Sequence, residues 1–199
     1  MASCTALLSK QSLQTTYYSL EAQSKPKPQS DLPSVNPNIE LPTLIISLPN
    51  AAAGFNTQRM MYTRAPHQLE YFSRNEWIDT PAKMLQPLMI SAIEKTGAFH
   101  VVLAKQNVTA NDLRLESEVI KLVQDFSTKP SHVQFTLRAT LIDNATNKVI
   151  ATREFNERVN AISDNPIGGV VAANLAVNQA LYKLSIFNQQ AVTNWGHFK

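Results

Sequence analysis

The spacing of apolar residues changes period along the chain, and each change predicts an element. Residues 16–20, Thr-Tyr-Tyr-Ser-Leu, are rich in strand formers and read as a first strand. A continuous apolar run at 43–48, closed by Pro49, has the pattern of a buried central strand. Gly54 and Asn56 mark a turn before a strand at 58–63. Pro66 breaks that strand, and residues 68–72 return as its antiparallel hairpin partner. Leu85, Leu88, Met89, Ala92 and Ile93 then recur at helical spacing, with Asp79 or Thr80 as cap, Pro81 in the first turn and Gly97 as the stop. In this reading the helix starts from the segment that opens at Trp77. Pro87, inside the periodic run, kinks the helix or displaces its start. Residues 99–103 follow as another short buried strand.

The second half is more regular. Val133, Phe135, Leu137, Ala139 and Leu141 alternate with Gln134, Thr136, Arg138 and Thr140, so one face of that strand packs on a core and the other meets water or a partner. Residues 113–123 begin with apolar odd positions and then switch parity at Ile120 and Leu122, which predicts a β-bulge. Residues 143–147 form a hairpin loop into a third strand at 149–155, completing an antiparallel meander. The last element is a helix capped by Asp164, with Pro166 in its first turn and an apolar stripe from Val170 to Phe187. Ala172, Ala173, Ala176 and Ala180 thin that stripe and let the helix lie close on a sheet. The order of elements predicts an α/β fold: one domain with a mixed, largely antiparallel sheet covered by two main helices. It occupies residues 15–199, after an N-terminal segment at 1–14, and carries a surface loop at 25–42 that holds Pro26, Pro28, Pro33 and Pro37.

Composition narrows the function classes. Charged residues make up 17% of the 199 residues and hydrophobic ones 44%, enough to build a core beneath a surface of low charge. The net charge of +3 is scattered without a basic run, zinc-finger spacing or RNA-binding aromatic motif, which argues against a nucleic-acid partner. The longest apolar stretch, 167–186, contains Asn174, Asn178, Gln179 and Lys183, each costly in hydrocarbon, so attachment to a membrane would be covalent or through a partner.

Candidate chemistry is sparse. His67, His100, His132 and His197 are far apart and match no metal-binding spacing, so neither a metal nor a cofactor is expected. Gly168-Gly169 lacks the spacing of a nucleotide fingerprint and is explained by close packing at a helix start. Glu116 and Glu118 share one face of a strand, a placement open to acid–base work but typical of a solvated edge. The chain reads as a binding or assembly protein rather than an enzyme. Cys4, the single cysteine, follows Ala2-Ser3 in the manner of a bacterial lipobox, without the charged start and apolar run of an export signal. In the form beginning at Met1 the chain is expected to be soluble and unacylated.

Several stretches, taken in order, carry a resemblance: Arg59-Met-Met-Tyr62, Leu69-Glu-Tyr71-Phe72, Glu76-Trp77, residues 80–86, Thr96-Gly97-Ala98-Phe99, Leu115-Glu116 and residues 151–155. With Tyr17-Tyr18-Ser19-Leu20 before them, the chain resembles the ABC-type transport auxiliary lipoproteins, the PqiC-like family associated with MCE lipid-transport systems of Gram-negative bacteria. The resemblance implies a non-catalytic periplasmic subunit, lipidated at Cys4, that works beside an ABC ATPase, a permease and an MCE-domain protein, and it leaves room for a homo-oligomer. Thr5, in place of the aspartate that retains such proteins at the inner membrane, implies the outer membrane. Arg59, Tyr62, Tyr71 and Trp77 are the candidate partner-binding residues, an aromatic-plus-arginine composition that interface hot spots favour. The competing reading packs Trp77 and Tyr71 under the first helix and pairs Arg59 with a carboxylate. A periplasmic lipid carrier with an apolar pocket is the alternative function.

Overall fold

The computed structural model describes residues 14–22, 41–104 and 112–196. Cys4, most of the N-terminal segment and of the Pro-rich loop, and His197 lie outside them. Nine strands form one mixed sheet, and two helices pack on one of its faces. In chain order these are β1 (Thr16–Tyr18), β2 (Thr43–Ile46), β3 (Asn50–Ala51), β4 (Arg59–Thr63), β5 (Glu70–Trp77), α1 (Pro81–Glu94), β6 (Val101–Ala104), β7 (Leu113–Asp125), β8 (His132–Asp143), β9 (Val149–Asn160) and α2 (Pro166–Gly196).

β7 is the axis of the sheet. Along one edge it pairs antiparallel with β8 from Leu113↔Asp143 to Asp125↔His132, and β8 pairs antiparallel with β9 in turn. Along its other edge β7 meets three short parallel strands in succession: β2 at Leu113 to Leu115, β3 at Glu118 and Val119, and β4 at Gln124 and Asp125. The sheet therefore forks. β6 extends the β2 branch in parallel, while β5 and then β1 extend the β4 branch. The long ladders are antiparallel, and the short pairings beside them are mostly parallel.

The parity switch in β7 is a bulge. Register shifts between Val119 and Lys121, which leaves Ile120 as the extra residue and returns Leu122 to the face of Leu113, Leu115 and Val119. That face, with Phe135, Leu137, Ala139 and Leu141 of β8, carries the core and is covered by α1 and α2. α1 buries Leu85, Met89 and Ile93. Pro87 sits inside α1 without ending it: the residue is exposed, so the amide hydrogen it lacks is missing from the outer face. α2 buries Ala172, Ala173, Ala176 and Ala180, the thin stripe that permits close approach. Gly169 goes further, since a Cβ there would stand 2.1 Å from Gln124 Oε1 on β7.

Four elements differ from expectation. Trp77 closes β5 instead of opening the α1 segment, because its backbone N–H donates to Gln58 O at 2.7 Å and holds it in the hairpin. The α2 cap is Asn165, whose Oδ1 accepts from Gly168 N at 2.9 Å; Asp164 instead accepts from Ser131 N at 2.6 Å and ties the helix start to the turn before β8. β9 runs on past Phe155 to Asn160, and its Glu157 turns inward to meet Lys183 of α2 at 2.7 Å. β3 is an added strand of two residues, too short to leave a sequence pattern.

Candidate functional site

The four candidate partner-binding residues, Arg59, Tyr62, Tyr71 and Trp77, lie on the β4–β5 hairpin. Its connection passes through His67, a non-glycine residue at φ 64°, directly after Pro66, and the strands then pair with Tyr62↔Glu70 and Met61↔Tyr71. Farther along, Arg59 pairs with Glu76, so Met60 alone stands opposite residues 72–75. This wide irregularity decides which side chains reach the surface. It shifts β5 by three residues against β4, an odd number, and thereby turns Trp77 inward while Tyr71 stays outside.

Alternation then divides the hairpin. The Arg59 guanidinium carbon sits 4.1 Å from the centre of the Tyr71 ring, and Tyr71 is 49% exposed. A cation over an exposed aromatic face contributes about 0.5–1 kcal/mol, enough to hold the two side chains as one unit. Tyr62 belongs to a second group. Its ring lies 4.5 Å from Phe72 and 5.7 Å from Phe126, and its hydroxyl donates to Glu70 Oε2 at 3.0 Å. Arg64 Nε donates to the other Glu70 oxygen at 2.9 Å, and its terminal nitrogen reaches Oε2. The hydrogen bond from Arg64 holds the Glu70 carboxyl below its ordinary range, while the bond to Glu70 raises the Tyr62 phenol. Trp77 is only 4% exposed and is part of the core. The structure thus brings Arg59 and Tyr71 together, sets Tyr62 in a separate half-buried cluster, and removes Trp77 from the surface.

Other sequence candidates resolve as surface chemistry. Arg114 Nε donates to Glu116 at 2.9 Å, and Arg138 stands 3.5 Å from Glu118 and 3.1 Å from Glu154. The two glutamates are therefore partners in an arginine ladder on the sheet face away from the helices, with Thr136–Asn156 and Thr140–Thr152 contacts beside them. Among the described residues no group of three His, Cys, Asp or Glu side chains is arranged to hold a metal ion.

One cluster escaped the sequence reading. His132 is 1% exposed, with Nδ1 3.2 Å from Thr128 Oγ1 and 3.3 Å from Arg158 Nη2, and Nε2 3.1 Å from Gln134 and 3.6 Å from Asp125. Burial, followed by the charge of Arg158, lowers its pKa against the opposing pull of Asp125. The partners come from β7, β8, β9 and the turn between β7 and β8, so a lone histidine at a strand start gave no signal of them.

Two cavities stand out among the described residues. Met60, Phe72, Trp77, Leu122, Val133 and Ala173 are among the residues that line a residual void of about 10 Å³, room for a single water. A larger depression of about 370 Å³ on α2 is open and lined by Gln189, Gln190, Thr193 and Asn194. Neither is an apolar pocket of the size small-molecule ligands occupy, about 300–1,000 Å³.

Comparisons with known proteins give a family and a fold. The family model described as ABC-type transport auxiliary lipoprotein component matches residues 18–184. The crystal structure of a Xanthomonas campestris protein of the domain family DUF330 superposes with a TM-score of 0.80 at 20% identity, covering 92% of this chain and 99% of the other. A second crystal structure, of an uncharacterized protein, gives a TM-score of 0.67 at 12% identity over 86% and 97% of the two chains. At these identities the likeness shows the fold. No curated protein matches the chain.

Proposed function

The chain belongs to the family of ABC-type transport auxiliary lipoprotein components, and from that premise we propose that it is a non-catalytic periplasmic subunit of an ABC/MCE-type lipid-transport system. In this reading Cys4 carries the lipid that holds the domain at the outer membrane, and the folded part docks or assembles the transporter. Several acyl chains on one cysteine make a firm anchor, since each buried methylene contributes about 0.8 kcal/mol.

The observation that carries the reading is the family match across 18–184, which takes in nearly every strand and most of α2. The cavity beside Met60, Phe72 and Trp77, at about 10 Å³, is too small for an acyl chain, which among the described residues favours docking over the alternative of a lipid carrier. The exposed Arg59–Tyr71 pair is the proposed contact with the MCE-domain protein. Arginine and tyrosine are among the residue types most enriched at interface hot spots.

Replacing Arg59 and Tyr71 together by alanine tests the assignment. The expected result is loss of copurification with the MCE-domain subunit at a urea midpoint close to wild type. An intact complex formed by a stably folded double variant removes this surface from the proposal. The lipid-carrier reading is checked by native mass spectrometry of the purified chain, where a bound phospholipid would favour it.

A further inference from the structure

One end of the sheet gathers three chain reversals. Phe126 N–H donates to Thr63 O at 2.8 Å, Ala161 N–H donates to Ser131 O at 2.8 Å, and Gln124 Nε2 donates to Asn165 O at 3.2 Å. These bonds place the 64–69 connection, the 126–131 turn and the 161–165 corner, with the first turn of α2, beside the C-terminal end of β7. Ile162 is 73% exposed there, Ile167 59% and Val171 37%. Single exposed apolar side chains are ordinary, so exposure by itself assigns nothing.

The direction of the chain supplies the second observation. β1 is parallel to β5, β5 is antiparallel to β4, and β4 is parallel to β7. β1 therefore runs against β7, and the chain enters the domain from the side on which β7 ends. Ten positions separate Cys4 from Gln14, a contour of at most about 35 Å. A lipid at Cys4 keeps this end, rather than the opposite one, nearest the bilayer.

We infer that the end led by Ile162 and Ile167 seats on the lipid surface to which the N-terminal anchor holds the domain. The inference rests on the reading of Cys4 as that anchor. Side chains of this type at an interface bury themselves at the boundary of headgroups and acyl chains. Charge contributes little to the contact, because Arg64 is paired with Glu70, and the charge of Lys129 acts on Asp164, whose carboxyl is held low first by the Ser131 amide, then by the Ser131 hydroxyl and last by that lysine. The seating is then insensitive to salt, unlike the attraction of a basic patch to anionic lipid. It also orients the molecule: the β8–β9 hairpin, the start of β2 and the last turn of α2 point away from the membrane.

The single cysteine allows a direct test. The full chain is coupled at Cys4 to a maleimide lipid in vesicles of phosphatidylethanolamine and phosphatidylglycerol that contain a brominated lipid. Ile162→Trp, Ile167→Trp and Val149→Trp, the last at the far end, are compared by tryptophan quenching. Quenching of the added fluorophore at 162 and 167 is expected to exceed that at 149 by about threefold or more, with little change in high salt. Equal quenching at the three positions, or stronger quenching at 149, overturns the inference. Hydrogen exchange on the unsubstituted coupled chain probes the same contact without mutation: added protection at 161–168 supports the seating, and its absence there overturns it. Because the lipid is attached chemically, this result is independent of native acylation, which the mass of the Cys4 peptide reports separately.

Discussion

Trp77→Ala and Tyr71→Ala, two aromatic truncations six positions apart on one strand, should have opposite consequences. Trp77 is 4% exposed and packs in the core, so its removal leaves a cavity and costs about 3–5 kcal/mol, the range for Phe or Trp truncation in a core. For a domain of this size each kcal/mol moves Tm by about 2–4 °C, so Tm should fall by about 6–20 °C. Tyr71 is half exposed, and its loss removes the contact with Arg59 at 4.1 Å, a change of about 0.5–1 kcal/mol in stability. Urea unfolding followed by far-UV circular dichroism measures both, and copurification with the MCE-domain subunit measures the second effect. Trp77→Ala should lower the urea midpoint strongly, and Tyr71→Ala should weaken the complex with a midpoint close to wild type. A Trp77→Ala protein as stable as wild type would refute the placement of β5, since it would mean that the indole is not in the core.

Two further outcomes follow from particular residues. His132 titrates below its ordinary value in the folded state, so its contribution is fully present above the unfolded pKa of about 6.5 and is lost as pH falls through the folded pKa. The depressed Asp125 acts in the same direction at lower pH, below about 3.8. Urea midpoints should therefore decline from pH 7.5 to 5.5, with a smaller decline in His132→Gln; equal slopes would show that another group controls the window. Asn165→Ala should lower stability by about 1 kcal/mol through loss of the α2 cap, measured as a shift in the urea midpoint, whereas no shift would move the cap elsewhere.

The parts of the fold legible in the sequence are those in which one period runs long enough to be read. The β7–β8–β9 meander, the bulge at Ile120 and the alanine-lined face of α2 each rest on eight or more residues of consistent patterning, and burial in a two-layer domain enforces that pattern. Short elements are harder to read. β3 has two residues, and β5 hides its full length because the offset opposite Met60 breaks alternation between Phe72 and Asn75. That same offset explains why Arg59, Tyr62, Tyr71 and Trp77 look like one patch along the sequence but divide into a surface pair, a half-buried cluster and a core residue. The misplaced cap at Asp164 has a different cause. Asp and Asn are near-equal caps, and only the tertiary bond from Ser131 N–H diverts the aspartate.

The glutamate and arginine placements on β9 show a related limit. Glu157 occupies a core-facing position and reads as a break in the pattern, yet Lys183 of α2 answers it at 2.7 Å and 2.9 Å. Arg153, two positions before Phe155 on the same face, lies over the Phe187 ring at 5.3 Å. Inward-facing charges on an outer strand discourage unwanted edge pairing, so the departure from alternation is a property of the edge and not of the core.

Anchoring through Cys4 and engagement with a transporter are the two halves of the proposed function. Affinity purification of the full-length, exported protein from membranes, with its partners identified and its N-terminal peptide weighed, examines both at once. An MCE-domain protein with its ABC permease and ATPase in the eluate, together with a diacylated or triacylated Cys4, is the predicted result. An unmodified Cys4 and an eluate without transporter components would contradict it.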